Sequence, residues 1–260
     1  MDEYLQHNKI AWDKAAENKE RWSLPVSHEV VEEARKGNWN VILTPWLPVP
    51  REWFGDIKGK DVLCLAGAGG QQVPILAAAG AKVTSYDLSH KQLELDKLTA
   101  YKERLNIMTY EGDMSNLSVF DDESFDIIFH PVSNCFVPDI NKVWKEAYRV
   151  LRYGGSLLSG FANPVLYLFD ETDPGKKIEP KVVNKIPYSD LNSLNEEMKA
   201  KFIAECYPFE FGHSLDDQIG GQIKAGFSLE GFYEDRHQDK EHPLYEYIKL
   251  FISTRAVKRY

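Results

Sequence analysis

The stretch Asp61-Val-Leu-Cys-Leu-Ala-Gly-Ala-Gly-Gly-Gln-Gln-Val73 constrains this chain more than any other. An apolar run breaks at Gly67-Ala68-Gly69-Gly70 and gives way to a small-residue segment, which reads as a strand, a tight turn and a helix start. Glycine lets the backbone bend sharply and lets a ligand lie against bare amides at the positive end of a helix.

The surrounding pattern places that turn in a sheet. Strands are expected at Lys60 to Ala66, Lys82 to Tyr86, Ile107 to Tyr110, Phe125 to Phe129 and, after Gly154-Gly155, Ser156 to Phe161. Helices are expected at Val73 to Ala79, after Ser89, and from Asp139, where Val143, Trp144, Ala147, Val150 and Leu151 share a face. Short strand and helix units in alternation predict an α/β, Rossmann-like, doubly wound and mostly parallel sheet in a three-layer α/β/α arrangement.

Three flanking regions complete a single domain spanning 1–260, with 57–161 as the cofactor-binding core. Residues 1–56 carry five tryptophans and helical spacing around Asn8 to Glu20 and Ser27 to Lys36, with Gly37 as a stop, and read as an N-terminal helical cover packed on the core, with closure over a ligand as the alternative role. Residues 162–212 lose the alternating rhythm, mix prolines with aromatics, look extended over Lys181 to Pro187, and read as an ordered lid or substrate insert. Residues 213–260 resume it with a helix to Ala225, a strand at Ser228 to Glu234 and a last strand at Tyr247 to Arg255.

Composition narrows the function classes. With 260 residues, 43% hydrophobic and 27% charged, the chain has enough apolar material for one sizeable core. A formal charge of −9 argues against a nucleic-acid partner, whose phosphates call for clustered Lys and Arg. Cys64, Cys135 and Cys206 are scattered and odd in number, so neither a disulfide framework nor a metal site is expected. No run approaches the roughly 20 apolar residues of a membrane span, and a cytoplasmic protein without a membrane partner is the expectation.

The residues around the turn point to a nucleoside. Asp87 ends the second strand about 20 residues beyond Gly67, where a carboxylate accepts hydrogen bonds from ribose hydroxyls. Asp113 ends the third strand within reach of an adenine amino group, with Met114 as a soft contact to the ring. The dinucleotide fingerprint requires a third glycine, and Gln72 stands there. A ligand with one carboxylate and no phosphate suits such a turn better than a pyrophosphate.

Taken together, Val62-Leu-Cys-Leu-Ala-Gly-Ala-Gly-Gly70, Tyr86-Asp-Leu-Ser89 with Gln92, Gly112-Asp113-Met114, Phe125-Asp-Ile-Ile-Phe-His130, Glu146 to Gly155, and Ser214-Leu with Ala225-Gly-Phe227 resemble a class I S-adenosylmethionine-dependent methyltransferase, in the small-molecule group called methyltransferase type 11. The resemblance covers roughly residues 57–160 and 213–256. It implies a seven-stranded sheet whose last strand is antiparallel, S-adenosyl-L-methionine as cofactor, and methyl transfer to a small-molecule acceptor by in-line displacement. It assigns cofactor contact to Ala66, Gly67, Ala68, Gly69, Gln71, Asp87, Leu88, Gln92, Gly112, Asp113, Met114 and His130. Two departures stand out: the acidic residue that usually opens the glycine motif, near Leu65, is apolar here, and His130-Pro-Val-Ser-Asn134 replaces the Asn-Pro-Pro-Tyr loop of base amino-methylases.

A general base is required only when the acceptor arrives protonated. Candidates are His130 at the end of strand four, His213 at the end of the insert, and Tyr188 within it. For His130 the competing role is a backbone-bonded positional residue; for His213, a partner of the following helix; for the insert tyrosines, packing. Asn134 either orients an acceptor or turns the chain, and Cys135 lacks a basic neighbour that would make it a nucleophile. An NAD(P)-dependent Rossmann oxidoreductase and a non-catalytic nucleoside-binding protein remain as alternatives. Monomer and homodimer are both open.

Overall fold

The structure is a computed structural model that describes residues 2–169 and 181–259. Its main sheet is built from β1 (Asp61–Leu65), β2 (Lys82–Asp87), β3 (Ile107–Glu111), β4 (Phe125–His130), β5 (Leu151–Ala162), β8 (Phe227–Asp235) and β9 (Phe251–Lys258). A separate two-stranded ribbon joins β6 (Tyr188–Ser189) to β7 (Phe211–Gly212). The main order is β3-β2-β1-β4-β5-β9-β8, with β9 antiparallel to both neighbours and the other pairings parallel. The expected class and the antiparallel last strand are therefore both present.

Strand β1 explains why its sequence is nearly continuously apolar. Successive side chains point to opposite faces: Val62 and Cys64 enter one core with Val73, Leu76 and Phe129, while Leu63 and Leu65 enter another with Trp144, Ile140 and Leu157. A parallel strand covered on both faces has no solvent side to mark with polar residues. The first face is covered by α3 (Gln72–Ala78) and the segment that brings Trp39, Leu43, Trp53 and Phe54. The second is covered by α5 (Ile140–Val150), whose Ile140, Val143, Trp144, Ala147 and Val150 are buried as their spacing predicts, and whose Asp139 caps the Asn141 amide.

The cover begins with α1 (Glu3–Glu17) and α2 (His28–Arg35). Helix α1 starts well before the expected Asn8, because its first turns pack on the insert, a long-range contact that local spacing does not carry. It also crosses α4 (His90–Glu103), where Asp13 accepts hydrogen bonds from the Ser89 hydroxyl and the Lys91 amide. Ser89 in turn caps the Gln92 amide.

Three boundaries differ from the sequence expectation. Strand β5 begins at Leu151, so Gly154 (φ +80°) and Gly155 lie inside it, at an irregular register against β4. Strand β9 runs from Phe251 to Lys258, later than Tyr247 to Arg255, because Lys258 is buried: its ammonium donates to the Leu151 carbonyl at 2.8 Å and sits over the Tyr148 and Tyr153 rings. Lys181 to Pro187 joins no ladder, and pairing starts only at Tyr188.

The described parts of the insert include α6 (Asp190–Ser193) and α7 (Glu196–Glu205), with a small core of Leu194, Phe202 and Phe209 against which Tyr4 packs. Pro174 and Pro180 lie outside the described residues. A turn at Asp216–Gly220 leads into α8 (Gly221–Ala225), which Gly226 ends in a left-handed conformation. Among the described residues no helix is long and apolar enough to cross a membrane.

Candidate active site

The strand order reverses between β1 and β4, and ligands of open α/β sheets bind at the carboxyl ends of strands flanking such a point. A cavity of about 590 Å³ opens there. Its floor is Ala66, Gly67, Ala68 and Gln71 of the turn, with Asp87, Leu88, Gly112, Asp113 and Met114 from the ends of β2 and β3. Leu5, Asn8, Trp12 and Trp22 of the cover close one side, and Tyr167, Tyr188, Asp190 and Glu210 of the insert form the far end.

The turn is a strained piece of backbone. Ala66, Ala68 and Gly70 take left-handed φ angles of 50°, 57° and 74°, and for an L residue such as alanine that conformation costs roughly 1–2 kcal/mol. A side chain on Gly67 would meet nothing closer than Pro131 at 4.0 Å, so bare backbone faces the cavity there. A Cβ on Gly69 would fall 2.1 Å from the Gln92 carbonyl oxygen, so this glycine serves the approach of α4 and does not line the cavity.

Two side chains one turn apart on α4 grip the turn from behind. Gln92 accepts the Gly69 N–H at 2.8 Å and donates to the Ser23 hydroxyl at 2.6 Å, tying turn to cover. Asp96, 1% exposed, accepts the Gly70 N–H at 2.6 Å and the Ser85 hydroxyl at 2.7 Å. Gln92 also lines the cavity, where the resemblance expects it to meet the cofactor, whereas Asp96, to which the sequence assigns no role, does not. The available signal was a pair of polar residues at i and i+4 on the face of α4 that also carries buried Leu93 and Ala100. Gln71 donates to the Arg21 carbonyl and Gln72 accepts the Ile42 N–H, so both glutamines also anchor the cover.

The two carboxylates of the floor are held in place. Asp87 accepts the Ser89 N–H at 2.9 Å, and burial pushes its pKa up to about 6 against the lowering effect of backbone amides. Asp113 accepts the Ser115 amide at 2.9 Å and the Ser115 hydroxyl at 2.6 Å.

Of the three candidate bases, one reaches the cavity. His130 is completely buried, with Nδ1 2.9 Å from the Leu65 carbonyl oxygen and Nε2 2.5 Å from the Asn134 side chain, and it does not line the cavity. Burial keeps its pKa below the usual value. His213 donates through Nε2 to the Asn134 carbonyl at 3.0 Å and is likewise outside the lining. The expectations that His130 contacts a cofactor and that either histidine acts as a base thus meet rings that are enclosed in a structural network. Asn134 itself is 1% exposed and donates to Gln218. Tyr188 does line the cavity: its hydroxyl donates to Asp190 at 2.7 Å, and its ring stacks on Tyr167, whose hydroxyl donates to Glu210 at 2.8 Å. Cys135 lines the cavity as a thiol that burial keeps from ionising.

Among the described lining residues four are carboxylates, Asp87, Asp113, Asp190 and Glu210, and none is Lys, Arg or His. A pyrophosphate has no cationic partner there, while a sulfonium with an amino-acid tail has the turn's backbone and a negative field. The carboxylate positions and the bare Gly67 backbone therefore fit S-adenosylmethionine.

The comparisons with known proteins agree with that fit. A family model described as a methyltransferase domain matches residues 63–159. The chain is 50% identical over 258 residues to the uncharacterized methyltransferase YbaJ of Bacillus subtilis, covering 99% of this chain and 100% of that one. The chain belongs to the class I S-adenosylmethionine-dependent methyltransferases.

This methyltransferase is also 37% identical over 118 residues to the demethylmenaquinone methyltransferase of Staphylococcus epidermidis, and spans about half of that relative's length, 47%. Its fold is shared with an S-adenosylmethionine-dependent methyltransferase from Mesorhizobium loti, at 16% identity and a TM-score of 0.62 over 80% of this chain and 94% of that one.

Proposed function

We propose that this methyltransferase transfers the methyl group of S-adenosylmethionine to a small-molecule acceptor. The observation that carries the reading is the continuity of one cavity from the glycine turn, Asp87 and Asp113 to the aromatic end at Tyr167 and Tyr188. When bound, S-adenosylmethionine supplies a methyl on a sulfonium sulfur, open to in-line displacement by an acceptor lone pair. Ala66 to Ala68 present backbone to its amino-acid end, Asp87 receives the ribose hydroxyls, and Asp113 with Met114 takes the adenine.

The chain's own contribution is alignment and exclusion of water. Trp12 and Trp22 of the cover and the aromatic residues of the insert enclose the reacting centre in apolar surface. Tyr188, with its hydroxyl on the buried Asp190, is the group placed to orient an acceptor heteroatom and to pass on its proton when it arrives protonated. The net charge of −9 supports a diffusible acceptor over nucleic acid, and with no membrane span among the described residues we place the reaction in the cytoplasm.

Titration calorimetry with S-adenosylhomocysteine and with NADH tests the cofactor half, with binding of the first alone expected. Labelled methyl from S-adenosylmethionine, incubated with a total cell extract, tests the acceptor half. Label in the low-molecular-weight fraction is expected, and label confined to protein or nucleic acid overturns it.

A further inference from the structure

The cofactor turn lacks a carboxylate from its own strand. Cys64 and Leu65 end β1 as buried apolar residues, and the two left-handed alanines at 66 and 68 make the turn costly to hold. Strain of that kind persists only where the surroundings over-determine it. Asp96 reaches across from α4 to do so, with both carboxylate oxygens bonded, one to the Gly70 amide and the other to Ser85 on β2.

We propose that Asp96 is the positioning residue of the cofactor turn: its ionised carboxylate holds Ala66–Gly70 in the shape that receives S-adenosylmethionine. The inference rests on the reading above that this turn holds the cofactor. A hydrogen bond to an ionised acceptor is roughly twice as strong as one between neutral groups, so the grip on Gly70 weakens when Asp96 takes a proton. The protonated carboxyl then donates its O–H to the Ser85 oxygen, reversing that hydrogen bond, so Asp96 stays in place with a looser hold on the turn.

The environment brings this proton into the physiological range. Burial pushes Asp96 up to about 7, the Gly70 amide and Ser85 hydroxyl pull it down, and the nearby Asp87 carboxylate raises it further. From β1 the facing titratable group is Cys64, a thiol that burial and Asp96 keep protonated. On α4 itself Lys91 pairs outward with Glu94 at 3.0 Å, and Lys97 is exposed. Cofactor affinity therefore rises with pH through about 7, and binding releases protons.

Stability runs the other way. The folded pKa of Asp96 lies above its unfolded value, so its proton stabilises the fold below the unfolded pKa, and that contribution is lost as pH rises toward 7. Asp96→Asn removes this dependence. The variant gains stability relative to wild type between pH 4 and 8, while losing the charged grip on Gly70.

The test measures the dissociation constant of S-adenosylhomocysteine by calorimetry from pH 5.5 to 8.5, alongside thermal melting. For Asp96→Asn an increase of about tenfold is expected at pH 8, from loss of the charge-assisted bond. The gap should close toward pH 5.5, and the inflection near 7 should vanish, leaving that of Asp87. Equal affinity at every pH overturns the proposal, and so does an equal loss at every pH accompanied by a lower melting temperature, which marks a merely structural role. In the wild-type protein, the NMR shift of the Gly70 amide proton should titrate near pH 7, and a flat profile overturns the proposal even when the variant fails to fold. Absence of binding by the wild type overturns the cofactor reading itself and the inference with it.

Discussion

Asn8 and Phe209, 201 residues apart, are joined by two hydrogen bonds: the Asn8 amide donates to the Phe209 carbonyl at 2.9 Å and its oxygen accepts the Phe209 N–H at 2.8 Å. Asn8 is completely buried and also lines the cavity. One side chain thus latches helix α1 to the insert directly beside the site.

Asn8→Ala leaves a backbone donor and acceptor unpaired in a buried place, a cost of about 1–3 kcal/mol. Faster hydrogen exchange is expected in α1 and around Phe209, with little change in β1 and β4. The affinity for S-adenosylhomocysteine should fall, because Trp12 loses its fixed position over the cavity. Unchanged exchange in α1 would show that the latch carries no weight.

The glycine turn, Asp87, Asp113 and the alternation of strands were legible in the sequence because each is local: a period, a spacing, a residue type at a strand end. The latch was not, since Asn8 looks like one more polar position of an amphipathic helix. Nor was Asp96, because a carboxylate in a helix reads as solvated unless its face is known to be buried. The end of β9 was missed for a related reason. Lys258 counts as polar by residue type, yet it is buried, with its ammonium over the Tyr148 and Tyr153 rings. In each case the deciding partner lies on another element, and for Asp96 the local trace is its i, i+4 spacing from Gln92 on the buried face of α4.

Gly67 and Gly69 look equivalent in sequence and are not. Gly69→Ala drives a methyl to within 2.1 Å of the Gln92 carbonyl oxygen and 2.8 Å of the Leu95 Cβ, so α4 must shift. A melting temperature lower by several degrees is expected from overpacking, which costs about 1–3 kcal/mol. Gly67→Ala meets only open space and leaves melting unchanged, but its methyl stands in the floor of the cavity. Weaker S-adenosylhomocysteine binding in a fully stable protein is the expected result, and equal binding by Gly67→Ala would remove Gly67 from the cofactor floor.

The candidate bases separate in the same way. His130→Ala strips partners from the Leu65 carbonyl and the Asn134 side chain, both in the interior, and is expected to cost stability by about 1–3 kcal/mol. Burial holds the His130 pKa below its usual value, so ionisation of this ring should not shape a rate profile above pH 6.5. Tyr188→Phe removes the donor to Asp190 and leaves the ring stack on Tyr167 in place. Once an acceptor is in hand, kcat should fall tenfold or more, within the roughly 10²–10⁴ range of acid–base assistance, while S-adenosylhomocysteine affinity stays at the wild-type value. A Tyr188→Phe protein with wild-type kcat would show that the acceptor needs no proton handling, and that alignment and desolvation alone drive the transfer.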